Sequence, residues 1–295
     1  MFLSSIKNLG LNLGIISLRK HFLIFFLGSF LLANAQQNKA LTCISQMLDS
    51  IRNVKTLRTN IKALERINKG FLSASSEIKL TTSPRQLYFI NPEKKLEILY
   101  VTGQFNNKAV VKPHVFPYLT LTLDPRSNIM RKNQHYTIHE LGFDFIGRTI
   151  GLVLSKEKDN MSKSLTYMGK HERNGYTCHM VVYEAKTFPY YEYTVKHKET
   201  ITSIAYSQNV NDYMLRIKND LHNDFGYLKE GSTIQIPHMY CKKAVLYLDE
   251  ITMLPVSVSI YDDIGLFESY DFSNIIVNKP IAPEEFTKEY KEYGF

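Results

Sequence analysis

CKKAVLYLDEITMLPVSVSIYDDIGLFESYDF, residues 241–272, contains three alternating apolar and polar runs parted by two turn signals. In the middle run Val256, Val258 and Ile260 alternate with Ser257 and Ser259. Successive side chains of a strand point to opposite faces, so this run predicts a strand with one greasy and one polar face. The same reading gives strands at 241–248 and 266–272. Asp249-Glu250 with Met253-Leu254-Pro255 turns the first pair, and Asp262-Asp263-Ile264-Gly265 turns the second. Three strands joined this tightly predict an antiparallel meander.

Upstream, the period changes twice. Leu41, Ile44, Met47, Leu48, Ile51 and Val54 recur at three- and four-residue steps, which predicts an amphipathic helix. Period-two runs then cover 56–67, 70–82, 86–90 and 96–101, with turns at Ser83-Pro84, Asn91-Pro92 and Gly103. Val110-Val111 and a run at 118–123 continue them; there Leu119, Leu121 and Leu123 alternate with Thr120 and Thr122, predicting a half-buried strand. A second helix is predicted over 137–154, with Ile138, Leu141, Phe145 and Leu152 on one side and Gly142, Gly147 and Gly151 weakening it. Runs at 164–172 and 177–184 flank Asn174-Gly175, a strong hairpin signal. The expected fold class is α+β: one strongly curved antiparallel sheet, with helices over its concave face.

The closing region resembles the LolA-like lipoprotein-sorting superfamily, in an envelope branch. The resemblance rests on Leu248-Asp249, Thr252, Leu254-Pro255, Tyr261-Asp262, Gly265, Tyr270, Phe272 and Asn274, ending near Phe286. It implies a half-open barrel whose apolar concavity holds acyl chains, and lipid or lipoprotein acyl chains as partners. Under that reading Leu119, Leu121, Leu141, Phe145, Val256 and Val258 are the candidate cavity residues.

A different module interrupts the strands. Tyr193-Thr194-Val195-Lys196 reads as a strand; Ile201, Ile204 and Ala205, then Val210, Tyr213, Met214 and Ile217, follow at helical spacing; Ile234-Gln235-Ile236-Pro237 closes it. This resembles the lysin motif, a βααβ module that binds N-acetylglucosamine glycans such as peptidoglycan. The resemblance implies a groove between two loops. His197, Lys198, Glu199, Thr200 and Ile201 form one loop; Phe225, Gly226, Tyr227, Leu228 and Lys229 form the other. The motif's usual Gly-Asp-Thr is here Lys198-Glu199-Thr200. Thr200 is placed to cap the first helix. The organisation expected is a leader at 1–35, a LolA-like body at 36–190 and 239–295, and the insert at 191–238, whose ends lie close together.

Arg19-Lys20, the apolar run from 22 to 32 and Ala33-Asn34-Ala35 fit a secretory signal, and the run is too short to cross a bilayer as a helix. The destination expected is the periplasm or cell envelope, with the extracellular space as the alternative. The chain is basic, with formal charge +8, but its lysines are spread, and export argues against nucleic acid as a partner. Cys43, Cys178 and Cys241 offer three single pairings; Cys178 with Cys241 is the candidate disulfide, and buried free thiols are the alternative. His135-Tyr136 and His139-Glu140 suggest a polar cluster at a cleft mouth. No metal spacing, cofactor fingerprint or nucleophile motif is present, so no cofactor, no metal and no enzymatic activity are expected. The function expected is binding of an acyl or lipid ligand with peptidoglycan contact through the insert; the alternative is a peptidoglycan-associated scaffold with a filled core.

Overall fold

Helix α1, residues 36–52, turns Ala40, Cys43, Ile44, Met47 and Ile51 into the main core, as its three- and four-residue spacing requires. The structure is a computed structural model that describes residues 36–157, 161–221 and 225–295. The expected leader lies outside the described residues. After α1 the chain meanders through β1 (Thr56–Ile67), β2 (Gly70–Thr82), β3 (Arg85–Asn91), β4 (Leu96–Val101), β5 (Ala109–Pro113) and β6 (Leu121–Leu123). A short α2 (Asn128–Arg131) leads to α3 (Phe143–Glu157) and the single turn α4 (Met161–Ser164). A hairpin, β7 (Leu165–Arg173) and β8 (Tyr176–Glu184), follows. It turns on Asn174 at φ 52° and Gly175 at φ 82°, the left-handed pair that a two-residue hairpin demands.

Next comes β9 (Tyr190–Thr194), α5 (Ile201–Gln208), α6 (Asp212–Lys218) and β10 (Thr233–Pro237), and then the closing meander β11 (Lys243–Asp249), β12 (Pro255–Tyr261) and β13 (Leu266–Val277). Eleven strands form one antiparallel sheet in the order β6-β5-β4-β3-β2-β1-β13-β12-β11-β8-β7. The sheet does not close: β6 and β7 are free edges. This is the α+β architecture that the alternating runs predict, with β13 bringing the C-terminal strand beside β1.

The pleat sorts side chains between two cores. On β3 and β4, Leu87, Phe89, Ile98 and Tyr100 face α1 and α3, whereas Tyr88, Ile90, Leu99 and Val101 face the other way. That outer face is covered by the C-terminal segment through Phe286, Tyr293 and Phe295; the rings of Tyr88 and Tyr293 stack at 3.6 Å.

Three sequence expectations are corrected. The 118–123 strand contracts to β6, because Pro117 offers no N–H and Tyr118 takes φ 58°, so pairing begins at Leu121. The 137–154 helix splits. Thr137 and Glu140 form a capping box around a 3-10 turn at Ile138–Glu140, Gly142 at φ 103° breaks the helix, and α3 starts at Phe143. Cys178 and Cys241 are not bonded, and all three cysteines are free and buried. Cys178 stands opposite Asp249 while Cys241 precedes Lys243, which pairs with Glu184 at the far end of the same ladder. That places the two roughly 20 Å apart along the strands, far beyond disulfide reach.

The β9–β10 unit has its own small core, built on Val195, Ile201, Ile204, Leu215, Ile234 and Ile236. Its two strands pair antiparallel, Tyr190 opposite Pro237, and His238 N donates to Pro189 O at 3.0 Å, so its two ends enter the body side by side.

Candidate functional site

The concave face of the sheet is hollow because its floor is built from small residues. Ala63 on β1 lies directly opposite Ala74 on β2, with Ser76 nearby, where neighbouring floor positions carry Ile or Phe. Ile61, Phe89, Ile98 and Ile260 complete the floor, and Met130, Ile138, Leu141, Phe145, Ile146 and Ile150 form the roof. The roof holds its position because Gly147 lets α3 approach α1: a Cβ there would lie 3.0 Å from Ile51. The hollow, open on one side, has a volume of about 430 Å³ and a largely apolar lining, a size within the ~300–1,000 Å³ range of small-molecule sites. Leu72, Leu121 and Ile129 line the cavity and are also exposed, which marks its mouth.

Of the residues predicted to form the cavity, Leu121, Leu141, Phe145 and Val258 line it. Leu119 does not: it is exposed in the loop before β6. Val256 is fully buried and lies outside the lining.

The inner end of the cavity is polar. Glu65 on β1 and Glu268 on β13 occupy inward positions directly opposite one another. Like charges in that arrangement repel, and the surrounding groups answer this with donors. Tyr270 Oη donates to Glu65 at 2.5 Å, Tyr136 Oη donates to Glu268, and Tyr136 and Tyr240 share a hydroxyl contact of 2.5 Å. His135, itself buried, meets Glu268 through Nδ1 at 2.7 Å and the carbonyl of Arg66 through Nε2 at 3.0 Å. A carbonyl can only accept, so Nε2 carries a proton, and one further proton is shared between Nδ1 and the carboxyl. Burial raises the Glu268 pKa against the pull of His135. Burial alone would lower that of His135, but the hydrogen bond and charge of Glu268 outweigh it and the pKa is raised. Tyr136, Tyr240 and Tyr270 are held well above their ordinary range, by burial first and then by Glu268, so they remain neutral hydroxyls. The sequence pointed to His135 and Tyr136 but not to their partners.

Beyond this cluster lies a second cleft of about 780 Å³, of mixed polar and apolar lining, between the body and the βααβ unit. Gln134, Tyr136, Thr137, Glu140 and Tyr240 line both spaces. Arg131, from α2, reaches across to Asp212 and donates to Thr202 at 2.5 Å, tying the unit to the body. Arg131 and Arg216 flank the Phe225 ring at 5.0 and 4.5 Å. Burial lowers both guanidinium pKa values to about 10, and the charge of Arg216 adds to the effect at Arg131.

In the βααβ unit the two predicted loops meet. Leu228 N donates to Glu199 O at 2.8 Å, and Thr200 bridges to Tyr227. Thr200 caps α5 through Ser203 N, as expected. His197 pairs with Glu230, the Glu199 carboxylate accepts from Lys196 N and Tyr193 Oη, and Tyr227 projects outward, 71% exposed. Lys198, at φ 56°, and Lys229 lie in the same pair of loops. Ile201 corrects its prediction, since it lies wholly within the small core and offers no surface. Phe225 lies against the arginines at the junction with the body, and Leu228 packs against the small core.

Among the described residues, no three His, Cys, Asp or Glu side chains converge on a metal-sized site, and no helix is long and apolar enough to cross a membrane. A family model described as a protein of unknown function, DUF1571, matches residues 54–215, from the start of β1 into α6. The chain belongs to that family. No curated protein matches it in sequence. Among solved structures it is similar to MucB (TM-score 0.41, 9% identity), covering 85% of this chain and 62% of MucB. It thus spans just under two thirds of MucB. It is also similar to the Mycobacterium tuberculosis lipoprotein LppX (TM-score 0.40, 13% identity; 83% of this chain, 98% of LppX). A third is a Vibrio parahaemolyticus domain described as outer membrane lipoprotein-sorting (TM-score 0.32, 9% identity; 85% of this chain, 97% of that domain).

Proposed function

We propose that this protein is an exported, non-enzymatic envelope protein that binds an acyl chain or lipid in its concave cavity. The observation that carries the reading is the 430 Å³ apolar hollow under α3, with a mouth at Leu72, Leu121 and Ile129 and a polar inner end. Apolar walls around a few convergent polar groups suit a ligand with one greasy and one polar end. A scaffold with a filled core is the poorer fit, because the Ala63–Ala74 pair leaves space that larger residues would occupy. The second element of the reading is contact with an N-acetylglucosamine glycan through a lysin-like insert. It is supported by the βααβ order, the meeting of the two loops and the exposed Tyr227 ring, a flat apolar face of the kind that packs against a sugar.

Ala74→Phe tests the cavity. If Ala74 borders ligand space, the added ring fills the hollow: uptake of a fluorescent fatty acid by the purified protein falls at least ~10-fold and the thermal midpoint holds or rises. If the interior is packed, overfilling costs about 1–3 kcal/mol and lowers the midpoint. Wild-type protein that takes up no fatty acid, and carries no lipid in native mass spectrometry, would refute the reading.

A further inference from the structure

We infer that the cleft between the body and the βααβ unit is a headgroup site for an anionic amphiphile, with Arg126 and Arg148 gripping its phosphate or carboxylate while the chain occupies the apolar cavity. This rests on the acyl-binding reading and adds a ligand class to it. Three observations support it. The cleft and the cavity share wall residues, Tyr136, Thr137 and Glu140 among them, so the two spaces adjoin across one layer of side chains. A head in one space and a tail in the other is then a single molecule's length apart.

The second observation is the balance of charge. Arg126, Arg131 and Arg148 line the cleft, against Glu140 and Asp212. Both acids are already engaged. Asp212 is held between Arg131 and Arg216, and Glu140 accepts from the Thr137 amide at 2.7 Å and hydroxyl at 3.1 Å. Arg131 is spent on Asp212. Among the described residues no carboxylate lies within ion-pair distance of the Arg126 or Arg148 guanidinium, and Arg148 rests over the Phe145 ring at 5.4 Å. Arg126 and Arg148 line the cleft while remaining exposed, and two such forked donors without acid partners suit a planar carboxylate or a phosphate, which a guanidinium binds through paired hydrogen bonds.

The third observation concerns His139. Burial lowers its pKa, and the charges of Arg126 and Arg85 lower it further, outweighing Asp124. The region therefore carries positive potential that disfavours one more cation and favours an anion.

The test is isothermal titration of the purified full chain, below micelle-forming concentrations. It compares lysophosphatidic acid with a monoacylglycerol of the same chain length, and adds inorganic phosphate alone. Two charge-assisted contacts predict that the phosphate-bearing lipid binds at least ~10-fold tighter than the neutral one. In an Arg126→Ala/Arg148→Ala protein that preference should collapse while monoacylglycerol affinity stays within about twofold. Equal affinity of the wild type for the two lipids, or a preference that survives the double substitution, would overturn the headgroup site and leave the cavity reading standing. Binding of neither lipid would overturn both. Inorganic phosphate binding as tightly as lysophosphatidic acid would assign a simple anion site and also overturn the proposal.

Discussion

Replacing Glu285 with glutamine should remove a pH-dependent clasp that holds the C-terminal segment on the outer face of the sheet. Glu285 accepts hydrogen bonds from both terminal nitrogens of Arg58 at 2.9 Å, from Lys79 at 2.8 Å and from Ala282 N at 3.2 Å; its side chain is 11% exposed. The Arg58 hydrogen bonds foremost, then those of Lys79 and the Ala282 amide, pull its carboxyl from the ordinary 4.5 to about 2, against the opposing effect of burial. At about 1.4 kcal/mol per pH unit, that gap corresponds to a ceiling of about 3 kcal/mol. The direction follows from proton binding. The native carboxylate refuses a proton that the unfolded chain accepts, so the stabilisation is full above about pH 5 and is lost as pH falls from about 4.5 toward 2. Glu285→Gln should therefore lower stability by about 2–3 kcal/mol at pH 7, and the deficit should shrink steadily toward pH 3. Urea unfolding followed by circular dichroism at pH 7, 5, 4 and 3 measures it, since the chain has no tryptophan to report. A mutant as stable as wild type at pH 7, or a deficit equal at pH 3 and pH 7, would refute the reasoning.

At Gly142, an added Cβ would lie 2.8 Å from Leu80 and φ is 103°, so Gly142→Ala should cost about 1–3 kcal/mol and lower the thermal midpoint by several degrees in differential scanning fluorimetry. Gly151→Ala, in α3 with open space around it, should instead raise the midpoint slightly. Tyr227→Ala should reduce co-sedimentation with purified peptidoglycan several-fold without changing the far-ultraviolet spectrum; unchanged sedimentation would remove the glycan role of this loop.

The strands were legible because one face of each packs against something. Val256, Val258 and Ile260 alternate cleanly, and the Asn174-Gly175 turn declares its own backbone geometry. The cavity was half legible. Leu121, Leu141, Phe145 and Val258 follow from the cavity that the LolA-like resemblance implies, but Leu119 shares the phase of Leu121 and still falls outside the ladder, because pairing starts only after Pro117 and Tyr118. The small floor residues that make the hollow were overlooked, since a period-two pattern records polarity and not volume. The buried acids did leave a trace. Ile61, Ala63 and Glu65 on β1 share one face, as do Glu268, Tyr270 and Phe272 on β13, so each glutamate breaks an otherwise apolar phase. A carboxylate at an inward strand position is a signal that local reading can find, although its partner His135, more than a hundred residues away in sequence, is not. The tail's role depends on Glu285 meeting Arg58 across 227 residues, which no local motif announces.

The hollow itself constrains what the protein does. An empty, dry apolar space costs about 24 cal/mol per Å³ of lost contact, so 430 Å³ would correspond to about 10 kcal/mol. That is the size of an entire domain's net stability. A scaffold selected only for rigidity would relieve such a cost with two substitutions, a larger residue at Ala63 and another at Ala74, because the pair faces open space on adjacent strands. Because the hollow opens at Leu72, Leu121 and Ile129, that cost is an upper bound, and water or a guest entering there reduces it. Water is a poor occupant of apolar walls whose polar groups gather at one end, where Tyr136, Tyr240 and Tyr270 already satisfy one another and the two glutamates. Under the proposed acyl-binding reading, a hydrocarbon guest would recover contacts along the walls, with its polar head carried past the hydroxyl cluster toward the neighbouring cleft. By linkage its binding adds directly to the free energy of folding.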